Sequence, residues 1–443
     1  MTENFNVTSK EYIYQDFKND NSDVENDNSN VENDNSSEDS DSSIISDSIS
    51  EDDIIDHRDN LNLEGKILNK FNILHELGKG TYSIVWLGYN IENKKFYAIK
   101  VQHPDEYKDG KNENNFMKKL PVNYNFNNLI DSFTFIENNK NFLCSVYNLH
   151  SCNIDCLIRK GKYQNGIPYN ESIQLIKELI QSLYYLHQKL KVFHGDLKTD
   201  NILVKGVSKL NRYYIELYNQ ENFMDNYSKQ KIDYCNLNNS KIENISSKNK
   251  LTIRNKIHSN IYTNIKNKIN NIEIDKYDIE KENTLSISLA DFGSFVEEGE
   301  YYEEPFGTRY YRSPENILVG KSSYPNDIWA LGCTIYEILT GEILFDPCKD
   351  KNYDRDFYHL KLINELSGEF PKDFLKTTKR YKIFFDKNYK IKFNLNLEFN
   401  DKINLLVNYQ IPTKIIDLIK GMLIIDPKKR LSIKDCLIII NSI

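Results

Sequence analysis

The chain has 443 residues, 28% of them charged, a net charge of −8 and seven cysteines. No apolar run approaches the roughly 18 residues needed to span a bilayer, and the polar N-terminus lacks a charged–apolar–small secretory pattern. The odd, scattered cysteines argue against a disulfide scaffold and suit an intracellular, reducing compartment, cytoplasmic or nuclear. Cys152 and Cys156 stand four apart, but no second pair completes a metal site.

Residues 1–60 hold 18 acidic and 3 basic residues among Asn and Ser. Their apolar groups are too few to offset the entropy of ordering, so they read as a disordered acidic tail. A short duplication at 24–29 and 31–36 is low complexity. Serines among acids at 36–43 fit either a phosphorylation target or a solubilising tail. The remaining chain is mildly basic, which does not by itself argue for nucleic-acid binding.

Folding signals begin near Leu61. Residues 71–77 alternate like a half-buried strand, and 84–89 and 96–101 are two β-rich runs around an Asn93-Lys94-Lys95 turn. Residues 142–147 read as a later strand of the same sheet. From Tyr169 the period changes: Ile173, Ile176, Leu179, Ile180, Leu183 and Leu186 follow helical spacing. Residues 206–284 are rich in Asn, Lys, Ile and Tyr, nearly free of Gly and Pro, and poorly periodic, so they read as a looped-out, low-complexity insert. A strand at 285–290 leads to Asp291, and helices are predicted over 326–340, 356–366 and 412–425. The class is α+β and bilobal: a β-rich N-lobe at 61–148 and a helical C-lobe at 149–443.

The chemistry-bearing residues fall at the joints of these elements. Gly78-Lys79-Gly80-Thr81-Tyr82-Ser83 links two strands, where glycine lets backbone N–H groups approach phosphates. Leu77 before the turn and Val85 after it complete a candidate ATP site. Lys100 ends an apolar strand and needs an anion, which phosphate oxygens and a helix glutamate would supply. Glu113, ahead of Phe116, Met117 and Leu120, is one candidate for that glutamate and Glu106 the other. In His194-Gly195-Asp196-Leu197-Lys198-Thr199-Asp200-Asn201, Asp196 would orient a substrate hydroxyl and accept its proton. Lys198 would neutralise developing phosphate charge. Asn201, together with Asp291 of Asp291-Phe292-Gly293, offers the hard oxygen ligands that suit Mg²⁺.

In this order the four signals match the protein-kinase signature set, and from about Leu61 to Ile440 the chain resembles a eukaryotic protein kinase. Lys198 resembles the serine/threonine type, since tyrosine kinases usually place Ala or Arg there. The run Thr308-Arg309-Tyr310-Tyr311-Arg312-Ser313-Pro314-Glu315 resembles the group of cyclin-dependent, MAP and SR-protein kinases. That resemblance implies that Glu315 pairs with Arg430, that Asp327 holds the catalytic-loop backbone, and that Thr308 contacts Asp196 and Lys198. Gly195, the insert position, the segment 163–168, and the segments 344–347 and 353–360 look most like the SR-protein kinases. The family implies ATP, Mg²⁺ and a protein substrate, here one rich in arginine and serine, with no nucleic acid or membrane partner and a monomeric state.

Departures from that family are Phe292 for its usual leucine, Asn148 for the hinge glutamate beside a gatekeeper at Tyr147, and a docking groove reduced to Asp354, Asp356 and Glu365. Gly195 replaces the arginine that clamps a phosphorylated activation loop in many kinases. With Glu297, Glu298, Glu300, Glu303 and Glu304 in that loop, activity without loop phosphorylation is expected. The competing readings are a pseudokinase scaffold on the same fold and, within the enzymes, a dual-specificity or cyclin-dependent-like kinase.

Overall fold

The computed structural model describes residues 61–270, 272, 274, 285–297, 302–321, 323–349, 351–393 and 402–443. The acidic tail, Glu298, Glu300 and most of 271–284 lie outside these residues. β-branched and aromatic residues build the first half. β1 (Ile67–Leu68), β2 (Phe71–Lys79), β3 (Ser83–Asn90), β4 (Lys95–Gln102), β5 (Asp131–Glu137) and β6 (Lys140–Tyr147) form an antiparallel sheet in the order β1-β2-β3-β4-β6-β5. Lys94 turns the chain between β3 and β4 with φ at +61°, and Asn90 Oδ1 accepts the Glu92 amide at 2.9 Å. One sheet face buries Phe71, Ile73, Trp86, Ile99 and Val146. Ahead of β5, α1 (Tyr107–Met117) turns Glu113, Phe116 and Met117 inward.

After β6 come β7 (His150–Asn153), α2 (Ile154–Arg159), α3 (Tyr169–Tyr185), β8 (Val192–Phe193) and β9 (Ile202–Lys205). Leu175, Ile176, Leu179, Ile180 and Leu183 recur at three and four residues, so α3 buries one continuous stripe. The predicted helix continues to Leu190 as a π-type turn and ends at Lys191, in the left-handed region at φ +61°. β9 pairs antiparallel with β7 and with the later β10 (Ile287–Leu289), with Ile202 opposite Leu289. This pairing brings the segments carrying Asn201 and Asp291 side by side across ninety residues of sequence.

The insert departs from the reading as an unstructured loop. It forms α4 (Lys209–Gln220), α5 (Phe223–Leu237) and α6 (Ser247–Ile269), with Ser208 and Ser246 accepting N-terminal amides of α4 and α6. Leu217, Tyr218, Phe223, Tyr227, Ile257, Ile261 and Ile265 pack onto Leu74, Leu87 and Tyr89, on the sheet face opposite the first core. Each fully buried side chain of this size stabilises by about 1.5–3 kcal/mol. That gain explains why an Asn- and Lys-rich segment folds: one set of its apolar residues meets a receptive surface, while Ile232, Leu237, Ile242 and Leu251 stay exposed.

β11 (Val296–Glu297) pairs with β8, and the remaining helices are α7 (Pro314–Ile317), α8 (Pro325–Thr340), α9 (Arg355–Ser367), α10 (Lys372–Leu375), α11 (Tyr381–Phe384), α12 (Lys402–Asn408), α13 (Thr413–Met422) and α14 (Ile433–Asn441). α8 is buried along nearly its whole length and is the axis of this half. All seven cysteines are free. Among the described residues, no helix is long and apolar enough to cross a membrane.

Two buried histidines set an acid limit on stability. Desolvation lowers the pKa of His258 on α6 to about 4 and that of His359 on α9 to about 3. Both are neutral when folded, whereas an unfolded histidine takes up a proton near pH 6.5. Their contribution is therefore complete above about pH 6.5 and is lost as pH falls toward 4, on the order of 3 kcal/mol for His258. Glu337 acts oppositely, because burial raises its pKa to about 7. Denaturant midpoints are expected to fall between pH 7 and pH 4.5, with a shallower fall in His258→Gln. A pH-independent midpoint would contradict this.

Candidate active site

Lys100 lies on β4 between Val85 of β3 and Ser145 of β6. Its Nζ is 3.1 Å from Glu113 Oε2, 3.3 Å from Glu113 Oε1 and 3.7 Å from Asp291 Oδ1. Glu113, not Glu106, is therefore the partner. Glu106 sits just before α1, outside its inward face. Burial works against the Lys100 charge, but Glu113 and Asp291 outweigh it and hold the ammonium above its usual pKa. Lys100 in turn depresses the pKa of Asp291. Asp291 itself takes φ +61°, a left-handed value that turns its half-exposed carboxylate out of the strand line.

The second cluster forms around the loop before β9. Lys198 Nζ lies 3.1 Å from Asp196 Oδ2 and donates to Thr308 Oγ1 at 2.7 Å. Thr308 N donates to Asp196 Oδ1 at 2.8 Å. Asn201 Nδ2 donates to the Asp196 carbonyl at 2.8 Å, and Ala290 N donates to the Asn201 carbonyl at 2.9 Å. Burial opposes the Lys198 charge, and Asp196 restores it and raises the pKa.

A buried frame holds these groups. Asp327 Oδ2 accepts His194 N at 2.7 Å and lies 2.9 Å from His187 Nε2, while Oδ1 accepts Gly195 N at 3.1 Å. Burial would raise the Asp327 pKa, yet these partners lower it. The rings of Phe116, Phe292 and His194 follow one another at 5.5 and 5.2 Å. Phe292 N also donates to Glu113 Oε1 at 3.2 Å. α1, the Asp291 turn and the Asp196 loop are therefore joined in one network of contacts. Glu315 meets Arg430 through two bonds of 2.6 and 3.0 Å, both side chains buried.

In the glycine turn, Gly80 N donates to Ser83 O at 2.9 Å. A Cβ at Gly78 would meet nothing within 4 Å, and one at Gly80 only Ser83 O at 3.8 Å. No internal packing demands glycine here, which fits a cradle kept open for a bound group. Leu77 is half-buried against the outer sheet cluster, while Thr81 and Tyr82 are exposed at the tip.

Two features were not read from sequence. Glu337 on α8 contacts Arg159, accepts Tyr311 OH at 2.5 Å, and lies 3.4 Å from Thr199 Oγ1 in the Asp196 loop. An acid inside the apolar run of α8 was the available signal. Glu178 on α3 accepts Ile287 N at 2.8 Å and so fixes β10. The three acids read as a docking groove have internal partners. Asp354 caps α9, Asp356 binds Arg309 and Arg380, and Glu365 binds Lys361.

The protein kinase domain family matches residues 71–212 and 214–438. A chain of Acanthamoeba polyphaga mimivirus, named as a serine/threonine-protein kinase, is 27% identical over 408 residues, covering 71% of this chain and 75% of that one. Serine/threonine-protein kinase SRPK of Physarum polycephalum is 27% identical over 387 residues, covering 83% and 85%. SRSF protein kinase 3 of Mus musculus is 21% identical over 489 residues, covering 84% and 86%. With the family matched along most of its length and its relatives named for this activity, the chain belongs to the protein kinase domain family and is a serine/threonine protein kinase.

Proposed function

We propose that the protein transfers the γ-phosphate of Mg²⁺–ATP to serine hydroxyls flanked by arginine. Protein kinases generally use ATP and Mg²⁺, and the donor set here suits them: one carboxylate and one amide, with no closed protein cage, as a cation that shares its shell with phosphates prefers. Among the described residues no group of three or more His, Cys, Asp or Glu gathers around one point. ATP supplies the activated phosphoryl group and Mg²⁺ the positive charge that screens it.

The chain's own residues then divide the work. Leu77, Val85 and the 78–83 turn enclose the nucleotide. Lys100, steadied by Glu113, presents its ammonium to phosphate oxygens. Asp291 and Asn201 are the oxygen ligands for the metal. Asp196, held by Thr308 N, orients the substrate hydroxyl and takes its proton, while Lys198 steadies the charge that builds on the transferred group. The observation that carries this reading is the pair of clusters, Lys100–Glu113–Asp291 and Asp196–Lys198–Thr308, on adjoining strands and loops.

The arginine preference rests on the relatives' names and on the family-like segments beyond Leu344, not on the Asp354, Asp356 and Glu365 acids, which are engaged internally. The test is transfer from γ-labelled ATP to an arginine–serine peptide beside one with proline after the serine. Faster labelling of the first supports the proposal, and preference for the second overturns it in favour of a cyclin-dependent-like specificity. Labelling that survives prior phosphatase treatment is expected. The activation segment is held by Asn316 bonds to Phe306, by Arg312 to the Gly307 carbonyl and by Arg309 to Asp356, none of which needs phosphate.

A further inference from the structure

The insert helices reach the strand that feeds the glycine turn. α4 begins eight residues after Asn201, shortly beyond β9, and Asn211 Oδ1 lies 2.9 Å from His75 Nε2. The Tyr214 ring stacks on the His75 imidazole, centroids 3.9 Å apart and planes within 12°. His75 is two residues before Leu77. One turn further, Tyr218 OH accepts Asn72 Nδ2 at 2.7 Å. From α6, Arg254 Nε donates to Asn72 Oδ1 and Nη1 to the Asn69 carbonyl, each at 2.7 Å, and His258 Nε2 donates to the Ile73 carbonyl at 2.9 Å. Ile73 and His75 flank an irregularity in the β2–β3 register, where a strand is least fixed by its own ladder. Leu77 and Leu149, the latter beside Asn148 in the link between lobes, pack on the same cluster.

We infer that α4 and α6 form a strap that sets the position of β2 over the nucleotide, with His75 and Tyr214 as positioning residues for ATP. This rests on the phosphotransfer reading above. One end of the strap continues the strand after Asn201, and the other grips the strand before Gly78. The segment that carries Asn201 and the strand that feeds the glycine turn are thereby tied through α4. The grips on Asn72, Ile73 and Asn69 hold β2 in place, and the His75–Tyr214 stack fixes the last span before the turn. Tyr214 touches neither nucleotide nor peptide in this account, so its loss acts on ATP through β2.

The experiment uses the full chain and measures ATP affinity by equilibrium dialysis with labelled ATP, alongside kcat and both KM values with an arginine–serine peptide. Tyr214→Ala is expected to weaken ATP binding and raise the KM for ATP roughly tenfold, the upper worth of an aromatic pair. The kcat and the peptide KM should stay within about twofold, since the groups around Asp196 are untouched. Tyr214→Phe keeps the ring and should restore wild-type values, and His75→Ala/Tyr214→Ala should be no worse than either single change. Asn211→Ala, a smaller lesion, gives the same direction where Tyr214→Ala does not fold. Ile415→Ala on α13, remote from the strap, serves as the stability control and should lower the melting temperature with ATP affinity unchanged. If Tyr214→Ala and Asn211→Ala lower the melting temperature yet leave ATP affinity at the wild-type value, the helices are only a cover and the inference is overturned. A wild-type chain that binds ATP with this variant pattern but labels no peptide would sink the kinase reading and leave the strap standing.

Discussion

Asp196→Asn is expected to lower kcat by about 10²–10⁴-fold, the range for removing a positioned acid–base group. ATP affinity and melting temperature should change little. The reason lies in how Asp196 is held. One carboxylate oxygen accepts the Thr308 amide at 2.8 Å, and an asparagine carbonyl can do the same. The other oxygen faces Lys198 at 3.1 Å and is the position that loses both charge and proton affinity. Lys198 keeps its bond to Thr308, so the loop has no cause to collapse. Single-turnover phosphotransfer with saturating ATP measures the loss directly. Asp196→Asn retaining more than a tenth of the wild-type rate would remove Asp196 from the role of proton acceptor.

The second large effect is on stability. Glu315 and Arg430 are fully buried, and the guanidinium also donates to the carbonyls of Pro325, Ile424 and Ile425 while lying 5.1 Å from the Trp329 ring centre. Glu315→Gln leaves that cation without its counter-charge and should destabilise by about 3–5 kcal/mol. Arg430→Met strands Glu315 and three carbonyls and should cost at least as much. The double variant is expected to be less damaging than the sum of the singles, because no lone charge is then left inside. Chemical denaturation midpoints of the four proteins test this. Strictly additive losses would show that the two residues do not act as a pair.

The chemistry was legible in sequence because each group sits in a short run whose neighbours fix its backbone. Asp196, Lys198 and Asn201 share one loop, Lys100 follows the apolar pair Ala98-Ile99 within β4, and Asp291 comes two residues after β10. Glu113 was readable only as a choice between two acids. Burial of Phe116 and Met117 decides it, since these fix which face of α1 turns inward.

Other parts were hidden for identifiable physical reasons. Ile253, Ile257, Ile261, Ile265 and Ile269 form a fourfold ladder along α6. Asn and Lys fill the intervening positions so densely that the average polarity masked it. The apolar face of α4 is mostly tyrosine, which reads equally as surface or core. Asp356 resembled part of a docking groove because its partners, Arg309 and Arg380, lie outside its own segment, whereas Asp354 and Glu365 are engaged locally, by the Phe357 amide and by Lys361. The strap depends on contacts between residues more than 130 positions apart, such as His75 with Asn211, and no local pattern encodes these.

Gly195 has a consequence for the chain's future variation. Its φ is +84°, and a Cβ there would come within 2.3 Å of the Ser294 carbonyl oxygen. Any side chain at this position, arginine included, collides with main chain rather than with a movable neighbour. Acquiring a charged latch for a modified loop would take a rebuilt path through residues 293–295 in addition to one codon change. Gly195→Arg alone is therefore expected to strain this backbone rather than to install such a latch.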